Sequence, residues 1–228
     1  PALTSFITIQ SRVLPEPLNT ALIGQSASGK NFAIDSVLPF FPSQAYVRID
    51  ASSPAAIVYL DEDFQNRILI VGEVDSIPEE GPIASAIRNL QSKNSLEYDV
   101  VEKGEDGQLH VRHISKPGPS SLLTTATRSL KAQADTRTLQ VSINDSPQQT
   151  KAILESQAQK FMGNSIEIDY RPWRAYQDVL FHQGPYEVLV PFAQEISKRL
   201  KGNAVAMHRG FPQLNTVIQT FAVLRQHQ

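Results

Sequence analysis

The stretch from Asn19 to Val37, NTALIGQSASGKNFAIDSV, constrains the fold more than any other part of the chain. Three apolar residues, Ala21-Leu22-Ile23, run into a loop where Gly24, Gly29 and Lys30 stand at the spacing G-x-x-x-x-G-K, and a helical pattern follows. Strand, glycine-rich turn and helix in that order let successive backbone N–H groups cradle phosphate while the lysine reaches the outer phosphates. Gly24, Gln25, Ser26, Ala27, Ser28, Gly29, Lys30, Asn31 and Phe32 are therefore the candidate nucleotide-binding residues. The position after the lysine ordinarily carries a hydroxyl that ligates magnesium. Here it is Asn31, whose side-chain carbonyl is also an oxygen donor but a bulkier one. Binding is expected to survive this change, and metal placement is what it alters.

The rest of the chain alternates short apolar runs with helical patterns, which predicts an α/β domain with a mostly parallel sheet. Strands are expected at Ala21–Ile23, Ala45–Ile49, Arg67–Val71, Ser120–Thr127 and Thr138–Ile143. Helices are expected from Lys30 to about Leu38, over Ser53–Leu60, and over Pro82–Gln91, where Ile83, Ile87 and Leu90 share a face. Residues 95–115 read as a β-hairpin, because Leu96, Tyr98 and Val100 alternate before Gly104-Glu105-Asp106-Gly107 and a second apolar run follows. After Asp145 the character changes: a helix from Pro147 to about Met162 stops at Gly163. A proline-rich link (Pro172, Pro185, Pro191) then leads to helical patterns near Phe192–Leu200 and Leu214–Leu224. The boundary is placed at an α/β core of residues 1–147 and a smaller helical part of residues 148–228.

A hydrolytic phosphate loop needs acids at the end of a neighbouring strand. RILIVGEVDSI supplies them: Glu73 is placed to polarise an attacking water and Asp75 to ligate magnesium together with Asn31. The position before Glu73, commonly Asp in such sites, is Gly72. Acids after a strand also serve simply as caps of the next helix, and that plainer reading stays open.

In their order, GQSASGKN, RILIVGEVDSI, the hairpin, SSLLTTATR and DTRTLQVSINDSPQQTKAILESQAQ resemble an AAA+ ATPase. More narrowly, the chain resembles the helicase domain that accompanies primase modules in phages, plasmids and mobile elements, a group related to the MCM replicative helicases. The resemblance covers residues 15–160 well and 170–228 more loosely. It implies a P-loop NTPase core with a five-stranded sheet, a hairpin insertion and a helical lid, and it implies ATP and Mg2+ as ligands. It assigns Lys30 to the phosphates, Glu73 to general base and Thr127 to the polar sensor of the lytic water. Arg137 falls at the arginine that enters the neighbouring subunit's site, and Arg209 at the second sensor on the lid. An ordinary surface arginine is the alternative for each of the last two.

The net charge of −2 excludes any global attraction to nucleic acid, so DNA contact must come from local cations or from several copies in a ring. Lys103, Arg112 and Lys116 on the hairpin are the candidate DNA contacts, while Glu105 and Asp106 at its tip oppose them. A hairpin that merely covers a sheet edge is the competing reading. No apolar run approaches a membrane span and there are no cysteines, so a cytoplasmic protein is expected. His110 and His113, three apart on a strand, point to opposite faces and suggest no metal site. The aromatic residues Tyr170, Trp173, Tyr176 and Phe181 are expected to pack the lid. Both ends, at Pro1 and within AVLRQHQ, are expected to be cuts in a longer protein. The expected function is an ATP-hydrolysing helicase or translocase on single-stranded or forked DNA. It would act as a homo-oligomer, by resemblance a hexameric ring, with a primase module in the same or a neighbouring chain. A weakly hydrolysing ATP-gated assembly or loader module is the alternative.

Overall fold

Apolar runs with no polar face become the middle of a sheet buried on both sides. The computed structural model describes residues 1–49, 56–72, 82–103, 107–127, 137–143, 146–164, 167–184, 186–200 and 207–226. Its strands are β1 (Thr20–Ile23), β2 (Tyr46–Ile49), β3 (Arg67–Val71), β4 (Leu96–Lys103), β5 (Leu109–Lys116), β6 (Ser120–Ala126) and β7 (Leu139–Ser142). Five of them form one sheet in the order β2-β3-β6-β1-β7, and every pairing in it is parallel. β4 and β5 form a separate antiparallel hairpin. The chain thus has the α/β, parallel five-stranded architecture that the alternation of runs predicts.

Period-two alternation sends the two sides of each strand into different cores. Ile68 and Ile70 join Leu22, Leu123 and Ile143 beneath α1 (Ala2–Gln10) and α2 (Lys30–Asp35). Leu69 and Val71 join Leu122 beneath α3 (Ala56–Tyr59) and α4 (Pro82–Lys93). The sheet therefore lies between two helical layers.

The helices depart from expectation where backbone propensity and packing disagree. α1 was not legible: ALTSFITIQ carries β-branched Thr4, Ile7, Thr8 and Ile9 and has no side-chain cap. It is made helical by burial of Ile7 and Ile9, and by a 2.7 Å hydrogen bond between the Thr8 and Thr20 hydroxyls. α2 stops at Asp35, and Leu38–Phe40 forms a 3-10 turn around Pro39. α5 (Pro147–Phe161) appears as expected and is followed by Gly163 at φ +79°. Of the expected proline-rich link, residues 171–183 are instead α6 (Arg171–Gln183). Pro172 sits in its first turn, where its missing N–H has no partner to lose. α7 (Ala193–Arg199) is as expected, whereas α8 (Met207–Leu224) starts well before Leu214 and accommodates Pro212. Among the described residues, no helix is long and apolar enough to cross a membrane.

The helical C-terminal part is tied to the N-terminal segment. Val13, Leu14, Leu180 and Val223 share one buried cluster, and Tyr176 packs against it. Tyr170 and Trp173 pack edge-on against Phe40, at 5.0 and 5.6 Å between ring centroids. Arg12 is only 1% exposed at this junction. It donates to Gln177 Oε1 at 3.0 Å and lies 5.7 Å from the Phe41 ring, while Gln177 Nε2 donates to Gln10 Oε1 at 2.6 Å. Burial pushes the Arg12 guanidinium down to about 10, and Asp178 opposes that shift. A base with a lowered folded pKa costs stability at every pH below that value, and the cost shrinks only as the pH rises through it. Arg12 therefore gives stability no pH dependence in the neutral range. Gln177→Leu leaves the buried cation without its side-chain acceptor and should destabilise the fold by about 3 kcal/mol. Urea unfolding measures this, and an unchanged midpoint would mean that water already solvates Arg12.

Candidate phosphate-binding site

The glycine-rich loop is seated at the carboxyl edge of the sheet, where parallel sheets bind ligands. Gly24 N–H donates to Ala126 O at 3.1 Å, and Ile143 N–H donates to Ile23 O at 2.8 Å. The loop therefore rises from β1 between the ends of β6 and β7. A Cβ at Gly24 would fall 2.6 Å from Ser28 Oγ and 3.3 Å from Ile143 Cβ, so a larger residue there would have to displace the Ser28 side chain and press on Ile143. Ala27 at φ +65° and Gly29 at φ +88° turn the backbone through left-handed conformations, as tight anion-binding loops commonly do.

Lys30 opens α2 and is 6% exposed. Its Nζ donates to Gly24 O at 2.6 Å and Gln25 O at 2.8 Å, so the ammonium spans the loop it follows. Ser28 Oγ is buried inside the loop without a hydrogen-bond partner. A cation across the loop and an unsatisfied hydroxyl within it suit a ligand rich in acceptor oxygens. With only 6 residues, α2 contributes a small dipole, and the loop N–H groups and Lys30 carry the electrostatics. Gln25, Ser26 and Ala27 form the exposed tip, and Asn31 and Phe32 lie exposed just beyond it.

Thr127 follows the end of β6 directly and adjoins Gly24 through the Ala126 contact. β6 is tied to β3 by Thr124 Oγ1, which donates to Val71 O at 2.7 Å. β3 ends two strands from β1, which at ordinary strand spacing is about 10 Å. A Cβ at Gly72 would meet nothing within 4 Å, so the absence of a carboxylate there is a chemical departure and not a steric one. Glu73 and Asp75 lie outside the described residues.

Arg137 is at the other edge of the sheet. Leu139, two residues on, donates to the carbonyl of Asn19 ahead of β1, whereas the loop follows the far end of that strand. Within one chain Arg137 and Gly24 are separated by about 15 Å, the length of the intervening strand. Arg137 Nε donates to Ser92 Oγ of α4 at 2.8 Å. Its guanidinium is held below the usual range by desolvation first, then by the charges of Arg209 and Arg88. Arg209 thus belongs to the neighbourhood of Arg137. Arg88 and Ser92 were missed by sequence reading; their only signal is the spacing of Ser85, Arg88 and Ser92 on the outer face of α4.

The hairpin stands largely free of the sheet. Its 8-residue strands span about 27 Å, and burial falls from Leu96 at the base to exposure at Lys103. Leu96 is buried in the second core, with Tyr98 and Ile114 packed against it, and the strands do not pair with the edge strand β2. The reading of the hairpin as a strand-edge cover is therefore not realised by strand pairing. Leu109 and Val111 face away from the base, opposite Lys103 and Val101, and are 73% and 69% exposed. Of the three expected DNA contacts, Lys116 is bound to the carbonyls of Leu60 and Glu62. Arg112 is paired with Glu102 at 2.8 Å. Lys103 lies exposed toward the tip, while Glu105 and Asp106 lie outside the described residues. His113 Nδ1 lies 2.6 Å from Asp99 Oδ1, and His110 is on the opposite face, across from Glu102.

An open cleft of about 700 Å³ lies far from the loop, between Leu14, Asn66, Asn94, Pro119 and Phe181. Among the described residues lining it, Lys93 is the charged one. No protein-family model matches the chain, and no curated protein matches it significantly.

Proposed function

We propose that the chain is a P-loop ATPase domain of the AAA+ kind, which assembles into a homo-oligomeric ring and couples ATP hydrolysis to movement on single-stranded or forked DNA. The observation that carries this reading is the Gly24–Lys30 loop: a close glycine turn at the carboxyl edge of a central parallel strand, spanned by the Lys30 ammonium. The strand order supports it, because β6 delivers Thr127 between the loop strand and the strand that precedes Glu73. The hexameric form, the cytoplasmic setting and an accompanying primase module belong to the same proposal.

In this mechanism the loop N–H groups and Lys30 bind and orient the phosphates, and Lys30 neutralises charge that develops on the leaving oxygens. Asn31 and Asp75 would hold Mg2+, which supplies further neutralisation of the phosphates. Glu73 accepts a proton from the attacking water, and Thr127 positions that water. Arg137 has no route to its own loop and acts on a neighbour's. Exposed Leu154 and Phe161 on α5, at 60% and 93%, favour assembly. The hairpin contributes reach, with Lys103 as its accessible cation. Asn31 and Gly72 favour a second reading, an ATP-gated assembly or loader module with little turnover.

Steady-state ATP hydrolysis with and without single-stranded DNA separates the two. The motor predicts turnover that DNA stimulates, and Glu73→Gln should lower it by about a hundredfold or more while ATP still binds. ATP binding with no turnover in either protein, at concentrations where rings form, favours the switch.

A further inference from the structure

The open cleft of about 700 Å³ has the size of sites that hold small ligands or short stretches of chain. It lies at the amino edge of the sheet. Asn66 and Pro119, which line it, directly precede β3 and β6, whereas the glycine-rich loop follows the far end of β1. Its floor is a tightly bonded turn. Asn66 N–H donates to Pro119 O at 2.7 Å, and Ser120 N–H donates to Asn94 O at 2.8 Å. A Cβ at Gly118 would overlap the Asn94 carbonyl, so the turn into β6 lies directly against the end of α4. Leu14 and Phe181 add apolar surface from the N-terminal segment and α6, and Phe181 is 45% exposed.

Three polar side chains on this lining are free. Among the described residues, no hydrogen bond or ion pair engages the side chains of Asn66, Lys93 or Asn94. Asn94 N–H donates to Leu90 O and its carbonyl receives Ser120, so its carboxamide is what remains for a ligand. Asn66 and Asn94 stand in the left-handed region, at φ +56° and +55°, where glycine would serve the backbone equally well. The turns therefore do not need these carboxamides. Lys93 is exposed in the last turn of α4, and no acid lines the cleft among the described residues.

These groups select the ligand. A lone ammonium suits one carboxylate better than the several charges of a polyphosphate or a nucleic-acid backbone. Lys93 and Asn94 are neighbours in the chain, so the groups they bind must stand close together. On the last residue of a peptide the carboxylate and the amide N–H share one Cα, whereas a sugar separates phosphate from base in a nucleotide. Carboxamides offer a donor and an acceptor to peptide groups. Pro119, Leu14 and Phe181 supply the apolar wall that an apolar side chain needs.

We propose that this cleft binds the carboxyl terminus of a partner polypeptide that ends in an apolar residue. Lys93 holds the terminal carboxylate, Asn94 and Asn66 bond the last peptide groups, and Phe181 covers the last side chain. The site is separate from the glycine-rich loop and does not depend on how that loop is read.

The test titrates the full chain, without nucleotide, into fluorescein-labelled Ala-Ala-Leu-Phe with a free carboxyl terminus, and into the same peptide amidated. Fluorescence anisotropy should show saturable binding of the free acid, and amidation should weaken it by about tenfold or more. Lys93→Gln should bring the free acid to the level of the amide and leave the amide unchanged. Asn94→Gly, whose backbone accepts φ +55°, should keep the thermal midpoint and weaken both peptides by about fivefold. Equal affinity for acid and amide overturns the proposal, as does a Lys93→Gln variant that still tells them apart. No saturable binding of either peptide up to about 1 mM overturns it too. If Lys93→Gln then lowers affinity for a single-stranded oligonucleotide instead, the cation belongs to nucleic-acid phosphate.

Discussion

Lys30→Ala should abolish tight nucleotide binding, and turnover should be lost with it. The ammonium of Lys30 is bonded to the loop carbonyls, at 2.6 and 2.8 Å from Gly24 O and Gln25 O. In the proposed complex it exchanges those carbonyls for phosphate oxygens, which are stronger acceptors. Removing a charged donor of this kind costs about 3–4 kcal/mol, or roughly 10²–10³ in affinity. The fold should persist, since Ile34, Ala33 and Leu22 still fill the core beneath α2. Titration with a fluorescent ATP analogue, alongside a thermal melt, measures both effects. Affinity equal to that of the unaltered chain would remove the phosphate-loop assignment.

Arg137→Ala should show the opposite signature: normal ATP binding, with hydrolysis lowered by about 10³-fold or more. The expected split follows from position. Arg137 stands at the amino edge of the sheet, bonded to Ser92, and its own loop rises from the carboxyl edge. On the proposed reading it contributes nothing to binding in its own chain, and its effect falls on the transition state in a neighbouring one. Single-turnover hydrolysis under saturating ATP isolates that step. A variant as active as the unaltered chain would mean that the site is complete within one molecule.

Much of the core was legible because its signals are local. RILIV is apolar without interruption, and it became a strand buried on both faces between β2 and β6. The hairpin was legible from alternation on either side of a glycine-bounded turn, although the face that Leu109 and Val111 take depends on the pairing register. α1 and α6 were not legible. The first lacks a cap and is rich in β-branched residues, and the second carries a proline that reads as a break until its place in the first turn is known. Both owe their stability to packing across the chain, which propensity does not encode.

The candidate site divides in the same way. The sequence by itself determined the loop, because G-x-x-x-x-G-K is a statement about neighbouring residues: glycines where the backbone turns tightly and a lysine within reach of the turn. It also determined that Asn31 and Gly72 depart from the usual metal ligands. Only the tertiary structure decided which groups share a neighbourhood. Lys116, read as a DNA contact, is held by the carbonyls of Leu60 and Glu62. Arg137 meets Ser92, far away in sequence, on a helix face that no motif marks. Strand order and helix docking set those distances, and both arise from contacts between residues distant along the chain, where no local pattern records them.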